Sequence, residues 1–297
     1  MPSGRFLAAV AAVAACAVLL ALWLYPSSSD FAATNPYWHG TRATRAMLGV
    51  RGLASLAELP EPQGTALIVI PAVLPHADDI VRLDRYLAGG GVLILMDDFG
   101  YGNTVLAHLG IAARFQGTLL VDPLFNYRNP RLPRIADAAA QPAAGSLQTL
   151  VLNRATALSG TDGMTVLAWS SPLSYLDADG NGARGPDEAG GPFPVAAAVA
   201  KGAGVLVLVA DPSLLINSMV EVGGNKAFLR YLFQFAGERA QVYLDEAHLP
   251  RAPLDLAKAW IARTRALVGH PVLAYALAAG SLALPLVILL KGHGGRS

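Results

Sequence analysis

The chain has 297 residues, 54% of them hydrophobic and only 14% charged, with a mean hydropathy of +0.43. Its 22 basic and 21 acidic residues leave a formal charge of +1, so the basic excess that neutralises nucleic-acid phosphates is absent. The apolar content excludes a disordered chain, and a single cysteine, Cys16, excludes an intramolecular disulfide, a multi-cysteine zinc site and an iron–sulfur cluster.

An ordinary soluble domain is about 25% charged, so this composition points to membrane segments. Residues 6–25 form a run of twenty without charge, behind Arg5 and ahead of Pro26. At about 1.5 Å per residue such a helix spans a hydrocarbon core of about 30 Å. No small-residue cleavage site follows Tyr25, so residues 1–25 read as an uncleaved N-terminal anchor.

Residues 26–250 read as one α/β domain. Continuous apolar runs at 66–70, 92–96, 118–121, 205–210 and 242–244 have the character of strands buried on both faces. Helical patterns lie at 41–57, 77–87, 103–109 and 225–235. Strand and helix in alternation predict a three-layer fold, a mostly parallel sheet with helices on both faces as in flavodoxin-like proteins. The stretch from about 125 to 191, rich in Pro, Ala, Asp and Gly, breaks that rhythm and reads as a β-rich insertion.

Residues 251–269 mix apolar and basic side chains at helical spacing, as an amphipathic juxtamembrane helix does. A second uncharged run of twenty, 271–290, lies within the last segment, 270–297, and reads as a C-terminal transmembrane helix. Two spans place both termini on one side. Arg5, Lys291 and Arg296 assign that side to the cytoplasm, which makes the chain two-pass with an extracytoplasmic middle.

Four passages carry a family resemblance. They are Gly40-Thr41-Arg42-Ala43, Gly89-Gly90-Gly91-Val92 running to Asp97-Asp98-Phe99-Gly100, Asp211-Pro212-Ser213 with Asn217, and Tyr243-Leu244-Asp245-Glu246-Ala247-His248. With these the chain resembles domain-of-unknown-function family 4350, a group of membrane-anchored prokaryotic proteins. The resemblance covers most of the chain between the two apolar runs. It implies a class I glutamine-amidotransferase-like fold and kinship with accessory proteins of gliding-motility transporters. Leu249 and Pro250 stand where family members often carry a second His and a Gly.

Asp177, Asp179, Asn181 and Gly182, with Glu188 further on, match the calcium-loop pattern D-x-[DN]-x-[DN]-G-x5-E. Alternate residues of a tight loop turn hard oxygens inward, Ala183 falls at the backbone-carbonyl position, and a glycine allows the bend. Pro172 before the loop and Gly190-Gly191-Pro192 after it deny the helices of an EF-hand, leaving a calcium loop without that frame.

A second group is positional. Asp97, Asp98, Asp211, Asn217, Asp245, Glu246 and His248 all follow predicted strands, and ligands of open α/β sheets bind outside the carboxyl ends of strands. Gly100-x-Gly102 resembles a dinucleotide fingerprint, but Val105 replaces its third glycine and two aspartates would face the pyrophosphate. No cysteine or G-x-S-x-G nucleophile elbow and no Walker A run is present in the domain, so no catalytic residue is assigned. The expectation is a membrane-anchored, non-catalytic domain that binds a small-molecule ligand or a protein partner. It would serve as an accessory component of an envelope or transport complex, with calcium as the possible cofactor. The alternative is a metal-dependent hydrolase using Asp97, Asp98, Asp211, Asp245, Glu246 and His248.

Overall fold

The computed structural model describes residues 4–135, 137–138 and 149–268. In chain order these include α1 (Gly4–Leu24), α2 (Arg42–Leu48), β1 (Arg51–Leu53), β2 (Thr65–Val69), α3 (Ala77–Ala88), β3 (Val92–Met96) and α4 (Gly102–His108). Short strands follow: β4 (Arg114–Phe115), β5 (Leu119–Val121), β6 (Asn126–Tyr127), β7 (Asn129–Ile135), β8 (Asp137–Ala138), β9 (Leu150–Val151), β10 (Leu158–Ser159), β11 (Thr165–Trp169) and β12 (Tyr175–Asp177). Longer elements then return as β13 (Pro194–Lys201), β14 (Gly204–Val209), α5 (Asn225–Phe233), β15 (Gln241–Asp245) and α6 (Pro253–Val268). α1 and α6 belong to one unit, and Pro26–Pro250 form the other.

In the larger unit eight strands make the main sheet, in the order β1-β15-β2-β3-β14-β13-β11-β8. The first five are parallel. β13 then turns back on β14, pairing Lys201 with Gly204, and β11 and β8 continue the antiparallel half. The sheet is therefore mixed, which corrects the mostly parallel sheet expected from sequence. Two residues connect β13 and β14, and so short a link joins only antiparallel neighbours. β13 itself left no strand signature, because alanine is a weak strand former.

Every residue of β2 and β3 is buried, as continuous apolar runs require. α3 contributes Ile80, Leu83, Tyr86 and Leu87 to the core, and α5 contributes Phe228, Leu229, Leu232 and Phe233. Both sets recur at helical spacing and form one apolar face. The helix expected over 41–57 is shorter. It stops at Gly49, which takes φ +69 and donates its N–H to the Arg45 carbonyl, a left-handed C-cap that glycine adopts at little cost. The chain beyond it becomes the edge strand β1.

The membrane expectation is also corrected. The first apolar run is a helix, but among the described residues no helix is long and apolar enough to cross a membrane. The fold with a transmembrane helix at each end and the two-pass location with an extracytoplasmic middle are withdrawn. The run at 271–290 lies outside the described residues.

Candidate functional site

The parallel strands deliver their acids to one edge, and each acid is answered locally. Asp97, just beyond β3, is 4% exposed. Its Oδ1 accepts the Gly100 N–H and its Oδ2 the Gly102 N–H, both at 2.7 Å. A Cβ on Gly100 would lie 2.7 Å from Oδ1, and one on Gly102 2.6 Å from Oδ2. The Gly-x-Gly spacing thus serves this carboxylate and leads into α4. Burial raises the Asp97 pKa against the pull of those amides.

Asp211, beyond β14, is fully buried and caps the short helical turn Pro212–Leu215. It accepts from the Ser213 N–H at 2.7 Å and the Asn153 N–H at 2.6 Å. Desolvation, with the nearby Asp98 charge, pushes it up to about 7. Asp98 is half-buried, and burial raises it to about 6.

Asp245, at the end of β15, accepts the Ala247 N–H at 3.0 Å and meets His248 Nδ1 at 2.5 Å. His248 Nε2 faces Asp79 of α3 at 3.6 Å. Chiefly the Asp245 bond raises the His248 pKa, against desolvation. Glu246 pairs with Arg45 of α2 at 2.7 Å. Asn217 accepts the Ala43 N–H and donates to the Asn35 and Tyr37 carbonyls, so it fastens the segment before α2. Asp245, Glu246, His248 and Asn217 are therefore ties between elements.

Asp97 and Asp98 also line a cavity of about 440 Å³ at this edge. Its other walls include Phe31, Trp38, Phe99, Asn153, Arg154 and Ser213. Trp38 is 65% exposed and Phe99 51%, so two large rings stand at the opening. Asp211 lies beneath, with its amide partners Asn153 and Ser213 on the wall. Sequence reasoning missed Phe31, Phe99, Asn153 and Arg154, whose positions belong to no local pattern. His39 lines the cavity too.

The acidic loop behaves differently. Ligand oxygens of Asp177, Asp179 and Glu188 lie within 4.8 Å of one another, the one such cluster of three among the described residues. Asp177 ends β12 and is 4% exposed, and its Oδ1 is buried without a hydrogen-bond partner. Calcium–oxygen bonds of about 2.3–2.6 Å place opposite ligands about 5 Å apart, a spread this cluster matches. The cluster can hold a metal ion. Asn181 donates its side-chain amide to Asp179 at 2.6 Å and accepts the Ala183 N–H at 2.7 Å. Glu188 accepts the Ala178 and Gly185 N–H groups, which closes the loop.

A second cavity, of about 480 Å³, is lined by Phe125, Trp169, Pro172 and Pro192 with Arg134 and Asp137. Trp169 is half-buried on its wall.

Fold and site together define an α/β domain on a mixed sheet, with a strand-end cavity and a separate acidic loop able to hold a metal ion. The chain belongs to the family described as Domain of unknown function (DUF4350), which it matches over residues 33–233. No curated protein matches its sequence. Its fold is similar to that of the mmIFT52 N-terminal domain, at 15% identity and a TM-score of 0.53, over 71% of this chain and 94% of that one. A β-galactosidase from Bacillus circulans sp. alkalophilus is similar at 13% identity and a TM-score of 0.32, over 52% of this chain and 21% of that one. The exo-β-1,4-mannosidase Op5Man5 from Opitutaceae bacterium strain TAV5 is similar at 14% identity and a TM-score of 0.31, over 61% and 25%. At such identities the likeness concerns fold alone.

Proposed function

We propose that the Pro26–Pro250 unit is a non-catalytic binding domain that takes a ligand into the strand-end cavity and acts as an accessory component of a larger complex. The observation that carries this reading is the commitment of the strand-end acids. Both Asp97 oxygens and both Asp211 oxygens accept backbone amides, and Asp245 accepts an amide and His248. A hydrolytic metal centre needs free carboxylates converging on one point. That leaves the hydrolase alternative with Asp98 alone. The scaffold reads as amidotransferase-like without its nucleophile, since the only cysteine, Cys16, precedes this unit.

We also propose that the ion of the acidic loop is calcium and that its role is to stiffen the loop. The donors are all hard oxygens, and one of them, Asp177 Oδ1, is buried and unanswered. A small-molecule panel read by thermal shift on the full chain tests the binding reading. A compound that stabilises the wild type but not Phe99→Ala supports it. Ester or phosphoester hydrolysis that depends on added metal and is lost in Asp98→Asn overturns it.

A further inference from the structure

The cavity wall carries an acid, Asp98, and a base, Arg154, that form no ion pair with each other. Asp98 accepts only the Phe99 N–H, at 2.7 Å, and Arg154 makes no side-chain hydrogen bond or ion pair among the described residues. The two sense each other electrostatically but form no ion pair. Of the other acids on the wall, Asp30 stands mostly in solvent 3.7 Å from His39, and both Asp97 oxygens accept amides. Arg154 is exposed and Asp98 half-buried, so both charges stand open to a ligand entering the cavity.

The backbone adds to this. Arg154 and Phe31 hold left-handed φ values of +55 and +60, and both line the cavity. Such a conformation is strained for a non-glycine residue and persists where the surroundings impose it. At Arg154 the imposing contact is the bond from its N–H to the Arg131 carbonyl, at 2.9 Å. Arg154 thus lines the same cavity that Trp38 and Phe99 wall.

We propose that this cavity binds a zwitterionic small molecule of the α-amino-acid class, its ammonium against Asp98 and its carboxylate against Arg154. Trp38, Phe99 and Phe31 then cover its apolar side chain. A simple amine leaves Arg154 as a like charge in the same cavity, and a simple carboxylate meets Asp98 in the same way. A neutral polyol satisfies neither charge fully. The inference rests on the binding reading above and names its ligand.

Calorimetry on the full chain tests it, with phenylalanine and leucine as zwitterions, phenethylamine lacking the carboxylate, phenylpropanoate lacking the ammonium, and glucose as a neutral probe. The zwitterions are expected to bind roughly tenfold or more tightly than either single-charge analogue, the size of one lost charge-assisted bond. Arg154→Gln removes the advantage over phenethylamine, Asp98→Asn removes the advantage over phenylpropanoate, and Arg154→Lys restores part of the first. Zwitterions that bind no better than the amine or the acid overturn the proposal. If glucose alone binds, the ligand class is wrong while the binding reading stands. If no probe binds and the wider thermal-shift panel is silent, both fall.

Discussion

The strand-end edge and the acidic loop are built from the same residue type and reach opposite outcomes. In the loop, Asp177, Asp179 and Glu188 bring oxygens within 4.8 Å of one another and leave one buried oxygen unanswered. At the strand ends, Asp97, Asp211 and Asp245 are all buried, whereas in the loop only Asp177 is, and each strand-end acid turns to its own amides or to His248. Adjacent strands are about 4.8 Å apart, so acids at their ends start near enough to converge. Nearness does not decide the matter. The loop acids accept amides too, Glu188 with both oxygens and Asp177 with Oδ2, so what sets the loop apart is that its oxygens converge and that Asp177 Oδ1 has no donor.

Breaking the tied edge carries the largest expected effect. Asp245→Ala leaves His248 buried without its short partner and the start of α3 unfastened. It is expected to cost about 3–5 kcal/mol, as loss of one member of a buried pair does. Urea unfolding of both single variants and the double variant measures this. A coupling energy near zero would mean that the pair is not a clasp.

The open loop should respond to an ion where the tied edge does not. Calcium at about a hundredfold excess over its dissociation constant is expected to stabilise the chain by about 2.7 kcal/mol. The gain should vanish in Asp177→Asn and persist in Asp97→Asn. Differential scanning calorimetry with and without the ion separates the two, and equal responses would erase the contrast between the regions.

The tied edge should respond to protons instead. Asp211 is raised to about 7 and Asp98 to about 6, both first by desolvation, so the folded chain holds protons that the unfolded chain has lost above about pH 4. Stability therefore falls as pH rises through their folded values. His248, raised chiefly by its bond to Asp245, acts with the same sign: its contribution is complete below about 6.5 and is lost as pH climbs through its folded value. The urea midpoint is expected to drop between about pH 5 and about pH 8 and to flatten in Asp211→Asn. A midpoint that rises over this window would contradict the assignment.

The smallest effect concerns Arg154. Arg154→Gly relieves its left-handed backbone and is expected to stabilise the fold by about 1 kcal/mol while weakening zwitterion binding. A gain in stability without loss of binding would detach the strain from the cavity.

How much of this was legible depended on distance along the chain. The apolar run at 92–96 coincides with β3, and the one at 66–70 overlaps β2 almost completely. The loop acids fall in one short segment, where spacing alone brings them together. The run at 118–121 did become a strand, but β5 pairs with β12 outside the main sheet, and no local feature distinguishes those two fates. The helical reading at 41–57 failed because a single left-handed glycine outweighed the periodicity beyond it.

The sequence by itself determined the buried parallel strands, the faces of α3 and α5, and the acidic loop. In each, hydrophobicity, period or oxygen spacing acts within a few residues. Tertiary structure alone decided the mixed sheet, the placing of Asp79 beside His248, and the cavity. The cavity draws Phe31 and Trp38, Asp97 to Phe99, Asn153 and Arg154, and Ser213 from four separate stretches of chain. Whether a carboxylate there is spent on an amide or left for a ligand depends on which donors folding brings beside it, and sequence spacing does not encode that proximity.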